Sequence, residues 1–282
     1  MIKSAAPRPG LRIPQIMGIL NVTPDSFSDG GALTDSKLDS GAAAARAFAM
    51  LEDGADIIDI GGESTRPGAT PVPAKEEIKR VVPVIQAIRA QTDAAISIDT
   101  MKPEVAKAAF AAGADIWNDV TALRFAKNSL KTAVELNAFV VLMHMQGDPQ
   151  SMQKNPTYPR GVTAEVLEFF AARIFEAQHA GLPREKIIID PGLGFGKTLD
   201  HNLDLLANVD RLAEIGLPVL IGASRKSFIN KIDASDATAR IGGSLASALW
   251  ATSKGAHILR VHDVRETKQA LKVWAAISNT EA

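Results

Sequence analysis

One pattern, repeated eight times, constrains the fold of this chain more than any other feature. A short run of apolar, mostly β-branched residues ends in polar residues or glycine. A helical stretch follows, and a glycine then opens the next run. The runs are residues 16–22, 56–62, 95–100, 115–120, 138–145, 186–192, 218–224 and 258–263. Being continuously apolar rather than alternating, they read as parallel strands buried on both faces. Between them, apolar faces at helical spacing are Leu38, Ala42, Ala45 and Ala49; Ile78, Val81, Val82, Ile85 and Ile88; and Leu271, Trp274 and Ile277. Pro83 lies inside the second and predicts a kink or a late start. Gly54, Gly113, Gly216 and Gly255 end helices just before strands. Eight strand–helix units within 282 residues, with no linker or shift in composition, fit an α/β fold: a single (β/α)8 TIM barrel. An open doubly wound sheet is the alternative. Residues 1–12 form a leader without a motif, ahead of one domain over residues 13–282.

Composition excludes several classes of function. Lys and Arg number 31 against 32 Asp and Glu, a net charge of −1, which gives no basic surplus for nucleic acid or an anionic membrane. The absence of cysteine removes disulfides, thiolate metal sites and a cysteine nucleophile. The longest strictly apolar run, Ala138 to Met143, is far too short to span a bilayer, and the leader has no apolar segment like that of a signal peptide. A cytoplasmic protein is expected.

Barrel enzymes work at the C-terminal ends of their strands. Here those ends hold Asn21, Glu63 to Arg66, Asp99, Asn118, Asp119, His144, Asp190, Ser224 to Lys226, Arg260, His262 and Asp263. Burying so many polar groups without a task is costly, so an active site is the better reading. Two phosphate signatures fail. Gly194-Phe195-Gly196-Lys197-Thr198 looks like the end of a Walker A loop, but Pro191 stands where its first glycine belongs. A dinucleotide pattern from Gly194 needs glycine where Leu199 stands. These glycines read as a tight turn.

Three segments are more specific: Asn21-Val22-Thr23-Pro24-Asp25-Ser26-Phe27-Ser28-Asp29-Gly30-Gly31, Gly61-Gly62-Glu63-Ser64-Thr65-Arg66-Pro67-Gly68 and Gly222-Ala223-Ser224-Arg225-Lys226-Ser227. Here, and through Asp99-Thr100, Asn118-Asp119-Val120, Leu142 to Met145, Asp190 to Thr198 and Arg260 to Val264, the chain closely resembles the dihydropteroate synthases, pterin-binding enzymes of the folate pathway. The resemblance runs from Ile16 to Ile277. It implies condensation of p-aminobenzoate with 6-hydroxymethyl-7,8-dihydropterin diphosphate, releasing diphosphate, in a homodimer that responds to sulfonamides.

The resemblance also assigns roles. Asp190 matches the carboxylate that accepts the pterin's amine and ring N–H, with Asp99 and Asn118 completing the polar ring. Lys226 donates to the pterin carbonyl and a ring nitrogen, while Met143 and Phe195 line its apolar sides. Gly222 belongs to the same pocket. Arg260 and His262, on one face of the last strand, hold the diphosphate. Asn21 matches the residue associated with Mg²⁺. Phe27, Thr65, Arg66 and Pro67 match loop positions that close over the arylamine, Ser227 its carboxylate site, and Arg225 a packing partner. Asp29 stabilises positive charge at the reacting methylene. Asp56, Asp59 and Asp119 are set aside as members of structural networks, and His144 as a structural histidine. Three rivals remain: a corrinoid methyltransferase, which would lack the Phe27/Asp29 and Thr65-Arg66-Pro67 loops; a Schiff-base lyase using Lys226, open to borohydride trapping; and a barrel that binds pterins without releasing diphosphate.

Overall fold

The computed structural model describes residues 13–23, 40–64, 69–147 and 151–279; the leader lies outside them. Strands and helices alternate. The strands are β1 (Gln15–Asn21), β2 (Ile57–Gly61), β3 (Ala95–Asp99), β4 (Ile116–Asp119), β5 (Phe139–Met143), β6 (Ile187–Asp190), β7 (Leu220–Ile221) and β8 (Ile258–Val261). The helices are α1 (Ser40–Glu52), α2 (Ala74–Arg89), α3 (Pro103–Ala111), α4 (Ser129–Glu135), α5 (Val162–His179), α6 (Leu199–Ala207), α7 (Val209–Ala213), α8 (Ser227–Ile232), α9 (Ile241–Ser253) and α10 (Val264–Asn279).

All ladders are parallel, in the order β6-β5-β4-β3-β2-β1-β8-β7. A single bridge, Ile189 to Val219, closes the ring between β6 and β7, with the Ile189 N–H donating to Pro218 O at 2.9 Å. The architecture is the expected barrel. Most of the 218–224 run is loop, and β7 keeps only two residues as strand.

Because side chains alternate along a strand, one set faces the barrel interior and the other the helices. Met17, Ile57, Ile116, Val141, Ile188, Leu220 and Ile258 form an apolar plug of their own, with Ala95 packed against it. The helix-facing set, including Ile58, Ile60, Ile96, Ile98 and Trp117, joins the main core. Two or four positions beyond the plug residues, on the same face, stand Asp59, Gly61, Ser97, Asp99, Asn118, Asp190, Gly222, Arg260 and His262. The alternation that seals the bottom of the barrel therefore fills its mouth with polar groups.

A recurrent latch sets the register at the opposite end. Asp56 and Asp115, each following Gly-Ala, accept the backbone N–H of Ile16 and Ile96 on the preceding strand at 2.8 and 2.9 Å. His257, after a third Gly-Ala, accepts the Val219 N–H through Nδ1 at 3.2 Å.

Three helical expectations need correction. Helix α1 buries Ala43, Ala44 and Ala47, while Ala42, Ala45 and Ala49 are exposed and Leu38 lies outside the described residues. A run of alanines carries no contrast from which to read a face. Ile277 is also exposed, near the end of α10, where Leu271 and Ala275 make the contact. Of the two readings of Pro83, the late start is overturned: helix α2 starts nine residues before Pro83 and continues past it. Pro83 lies on the exposed face, where water can serve the carbonyl that proline leaves without a donor.

Candidate active site

Register brings Asn21, Gly61, Asp99 and Asn118 side by side at the strand ends. Gly61 keeps the centre of that row low. A Cβ there would lie 3.6 Å from Asn21 Oδ1 and 3.8 Å from Asp99 Oδ2. Arg260 reaches across from β8, donating through Nε to Asp59 Oδ2 at 2.6 Å and through Nη2 to Asp99 Oδ2 at 2.7 Å. Asp59 is wholly buried and also accepts from Asn118 Nδ2 at 3.2 Å. One carboxylate thus orients both an arginine and an amide. Burial pushes the Asp99 carboxyl up to about 7, with Arg260 opposing the rise and Asp59 adding to it. Burial also works against the Arg260 charge, but Asp59 and Asp99 outweigh it and hold the guanidinium protonated. Asp99 Oδ1 is buried and has no hydrogen-bond partner among the described residues.

The opposite side of the mouth is built differently. Asp190, at the end of β6, accepts the Gly192 N–H at 2.7 Å, and burial raises its carboxyl above the usual carboxylate range. Lys226 donates to Leu193 O at 2.6 Å, with its ammonium 4.4 Å from the centre of the Phe195 ring. Burial lowers the Lys226 pKa to about 8. Met143 belongs to a small cluster with Val120, Met145 and Met152, against which Met101 and Phe195 pack. Methionine-lined apolar surface beside a buried acid and base suits a flat, polar-edged heterocycle. Gly192 has a φ of +67°, and a Cβ there would come within 2.0 Å of His144 O, so only glycine lets this loop lie against β5.

Further residues surround these two halves. His262 shares its Nδ1 with Ser224 Oγ at 3.0 Å, and its backbone N–H donates to the same oxygen. Arg225, with a φ of +57°, pairs with Asp263 through both Nε and Nη2. Ser227 opens α8, and Gly222 lies beside Arg260, a Cβ there sitting 3.8 Å from Arg260 Cβ. Glu63, at the start of the second loop, accepts the Val72 N–H at 2.7 Å and pairs with Lys102 at 2.6 Å; Lys102 in turn pairs with buried Glu77. Phe27, Asp29, Thr65, Arg66 and Pro67 lie outside the described residues.

The sequence reading passed over Asp59, now the hub of the arginine side, and Lys197, which is buried and bonded to His144. Asp59 had a signal: it shares the parity of the plug residue Ile57, so it had to point inward. Asp119 does serve structure, accepting the N–H groups of Thr121 and Leu123 in its own loop.

No cluster of three or more His, Cys, Asp or Glu suited to a metal occurs among the described residues. The Asn21 amide oxygen and the partnerless Asp99 oxygen are hard donors at one rim, so a Mg²⁺ ion fits only if oxygens of a ligand or water complete its shell.

Over residues 17–262 the sequence matches the pterin binding enzyme family. It is 50% identical over 269 residues to the dihydropteroate synthase of Haemophilus influenzae, covering 95% of this chain and 96% of that one. The Escherichia coli K12 dihydropteroate synthase is 48% identical over 263 residues, covering 93% and 91%. Similar solved structures include Xanthomonas albilineans dihydropteroate synthase with 4-aminobenzoic acid, at a TM-score of 0.87, 49% identity and coverage of 95% and 94%. The same enzyme in complex with 7,8-dihydropteroate matches at 0.84 and 46%, covering 95% of each chain. The Yersinia pestis dihydropteroate synthase in a sulfonamide complex matches at 0.89 and 43%, covering 96% of each.

Proposed function

The chain belongs to the dihydropteroate synthases of the pterin-binding family, and from that premise we propose how its residues share the work. It is a transferase that condenses p-aminobenzoate with 6-hydroxymethyl-7,8-dihydropterin diphosphate, giving 7,8-dihydropteroate and diphosphate. The observation that carries the assignment is Asp190: a buried carboxylate with one backbone donor on one oxygen, Lys226 acting on it through space, and Met143 and Phe195 alongside.

Asp190 accepts the exocyclic amine and ring N–H of the pterin, a paired contact that a carboxylate fits and an amide does not. Lys226 donates to the pterin carbonyl and ring nitrogen. Asn118 and Asp99 meet the remaining polar edge, and Met143, Phe195 and Gly222 border the ring. Arg260 has five N–H donors, of which two hold Asp59 and Asp99; the others, with His262, take the diphosphate oxygens. The bond from the methylene carbon to diphosphate oxygen breaks first, and the ring delocalises the cation. Asp29 stabilises that charge. The arylamine nitrogen then bonds to the methylene and releases its proton. Phe27, Thr65, Arg66, Pro67, Arg225 and Ser227 hold the arylamine and its carboxylate, where sulfonamides compete. Asn21 would hold a Mg²⁺ ion, whose contribution is to neutralise charge on the leaving diphosphate.

A homodimer is supported by the neighbouring helices α6, α9 and α10, which leave Leu203, Trp250, Val273 and Ile277 exposed. No helix among the described residues is long and apolar enough to cross a membrane, which is compatible with a cytoplasmic enzyme.

The deciding measurement is a coupled assay for diphosphate. Release is expected only with both substrates and Mg²⁺, and release without p-aminobenzoate or in chelator overturns the corresponding assignment. Sedimentation of the parent chain and of Trp250→Glu tests the dimer.

A further inference from the structure

The lysine of the failed phosphate motif has no part in the reaction as described. Lys197 is 2% exposed, and no carboxylate among the described residues lies within ion-pair distance of it. Its ammonium meets three acceptors: His144 Nδ1 at 3.0 Å, His144 O at 3.3 Å and Phe195 O at 3.0 Å. An ammonium has three N–H groups, so donors and acceptors match in number. A methionine would leave all three acceptors without a donor, and a glutamine, with two N–H groups, at least one.

The acceptors belong to two walls of the pocket. His144 directly follows Met143 at the end of β5, and Phe195 is on the loop after β6. The loop lies hard against the strand end. Besides Gly192, a Cβ at Gly196 would come within 2.7 Å of Gln146 O. The Tyr158 hydroxyl donates to Gly196 O at 2.8 Å from the outer side. The same loop supplies Leu193 O, which receives Lys226. A shift of the loop therefore moves Phe195 and Lys226 together, relative to Met143.

We propose that Lys197 is a positioning residue that fixes the gap between the Met143 and Phe195 walls, and so tunes affinity for the pterin substrate without touching it. The proposal rests on the pterin pocket assigned above. It requires a neutral His144 that keeps Nδ1 free to accept and carries its proton on Nε2. Burial, with Lys197 and Arg124 adding to it, lowers the His144 pKa to about 2, which keeps the ring neutral.

The test separates the two substrates. In Lys197→Met, KM for the pterin diphosphate is expected to rise about tenfold, the cost of one to two buried hydrogen bonds, with KM for p-aminobenzoate within about twofold of the parent. Because the chain has no cysteine, Lys197→Cys offers a unique thiol. Alkylation with bromoethylamine in denaturant, followed by refolding beside a refolded parent control, rebuilds a lysine-like ammonium and is expected to restore the pterin KM. Parent-like KM values in Lys197→Met, an equal rise in both, or an alkylated protein that folds without recovering overturn the proposal. If the variants do not fold, the parent decides. Burial lowers the Lys197 pKa to about 7, so the ¹⁵N spectrum of the parent, assigned with His144→Gln, is expected to show the Nε2–H tautomer from about pH 5 to 6, where Lys197 keeps its proton. A cationic ring or an Nδ1–H tautomer overturns the proposal. Since the parent's release of diphosphate is measured separately, failure here is distinct from failure of the pterin assignment.

Discussion

On the β2–β3–β8 side of the barrel mouth, Asp59 and Asp99 each accept a hydrogen bond from Arg260, at 2.6 and 2.7 Å. On the β5–β6–β7 side, Asp190 and Lys226 bond instead to backbone groups, and Lys197 to two carbonyls and an imidazole. The first arrangement spends its charge internally. Removing one member leaves the charge of the others less compensated at a largely buried position, so these residues govern folding. The second leaves a carboxylate and an ammonium without an ion pair among the described residues, although burial shifts pKa values on both sides. That is the side on which a ligand with complementary donors and acceptors gains most.

The contrast breaks most sharply at Asp59. Asp59→Ala leaves Arg260 with one of its two carboxylates and Asn118 without its acceptor. It is expected to lose about 3–5 kcal/mol of stability, read from urea midpoints, along with turnover. Asp190→Asn should do the reverse. Among the described residues its carboxylate accepts only the Gly192 N–H, so stability should stay within about 1 kcal/mol, while kcat/KM for the pterin diphosphate falls about a hundredfold through loss of a charged, two-point acceptor. Equal effects of the two substitutions on stability would erase the distinction between the halves.

Titration sharpens it further. In the folded chain Lys226 loses its proton at about 8, against an ordinary 10.5, because burial disfavours the ammonium. Turnover that needs this cation should drop about tenfold by pH 9. Stability should move in the opposite sense. Between pH 8 and 10.5 the unfolded chain holds the extra proton, so raising the pH through that window relieves the cost of a buried charge and favours the folded state. Comparing urea midpoints of the parent and Lys226→Met across that range isolates the contribution, and a parent curve no steeper than the variant's refutes it. The smallest effect belongs to the far end of the barrel. Asp56→Ala removes the latch on Ile16 and should cost about 1 kcal/mol with kcat unchanged, a control that separates strand register from site chemistry.

Much of this was legible in the sequence because strands buried on both faces announce themselves as apolar runs, and a polar residue at a run's end has few reasons to be there. Asn21, Asp99, Asn118, Asp190 and Arg260 were all found by that signal, and register places them around one opening. Asp59 was passed over because it lies in mid-run, where a carboxylate reads equally as a structural tie, and its partner Arg260 is 201 residues away. Lys197 was obscured by its neighbours: the glycines around it read as a tight turn, which does not say where the lysine points, and the loop folds it inward. The α1 face could not be read, since alanine at successive positions marks no side as apolar. The loop residues assigned through resemblance, Phe27, Asp29 and Thr65 to Pro67, fall outside the described residues and depend on the kinetic tests.

The barrel's hoop is fastened at one place by a single stitch, the Ile189–Val219 bridge. Asp190 follows directly on one side of it, and the segment leading to Lys226 continues from the other. In the proposed binding mode, a heterocycle clasped by both residues would span that gap and act as a second fastener. The bound pterin is then a structural part of the ring it sits in, and slowed amide exchange at Ile189 and along Val219 to Ile221 becomes a direct gauge of occupancy.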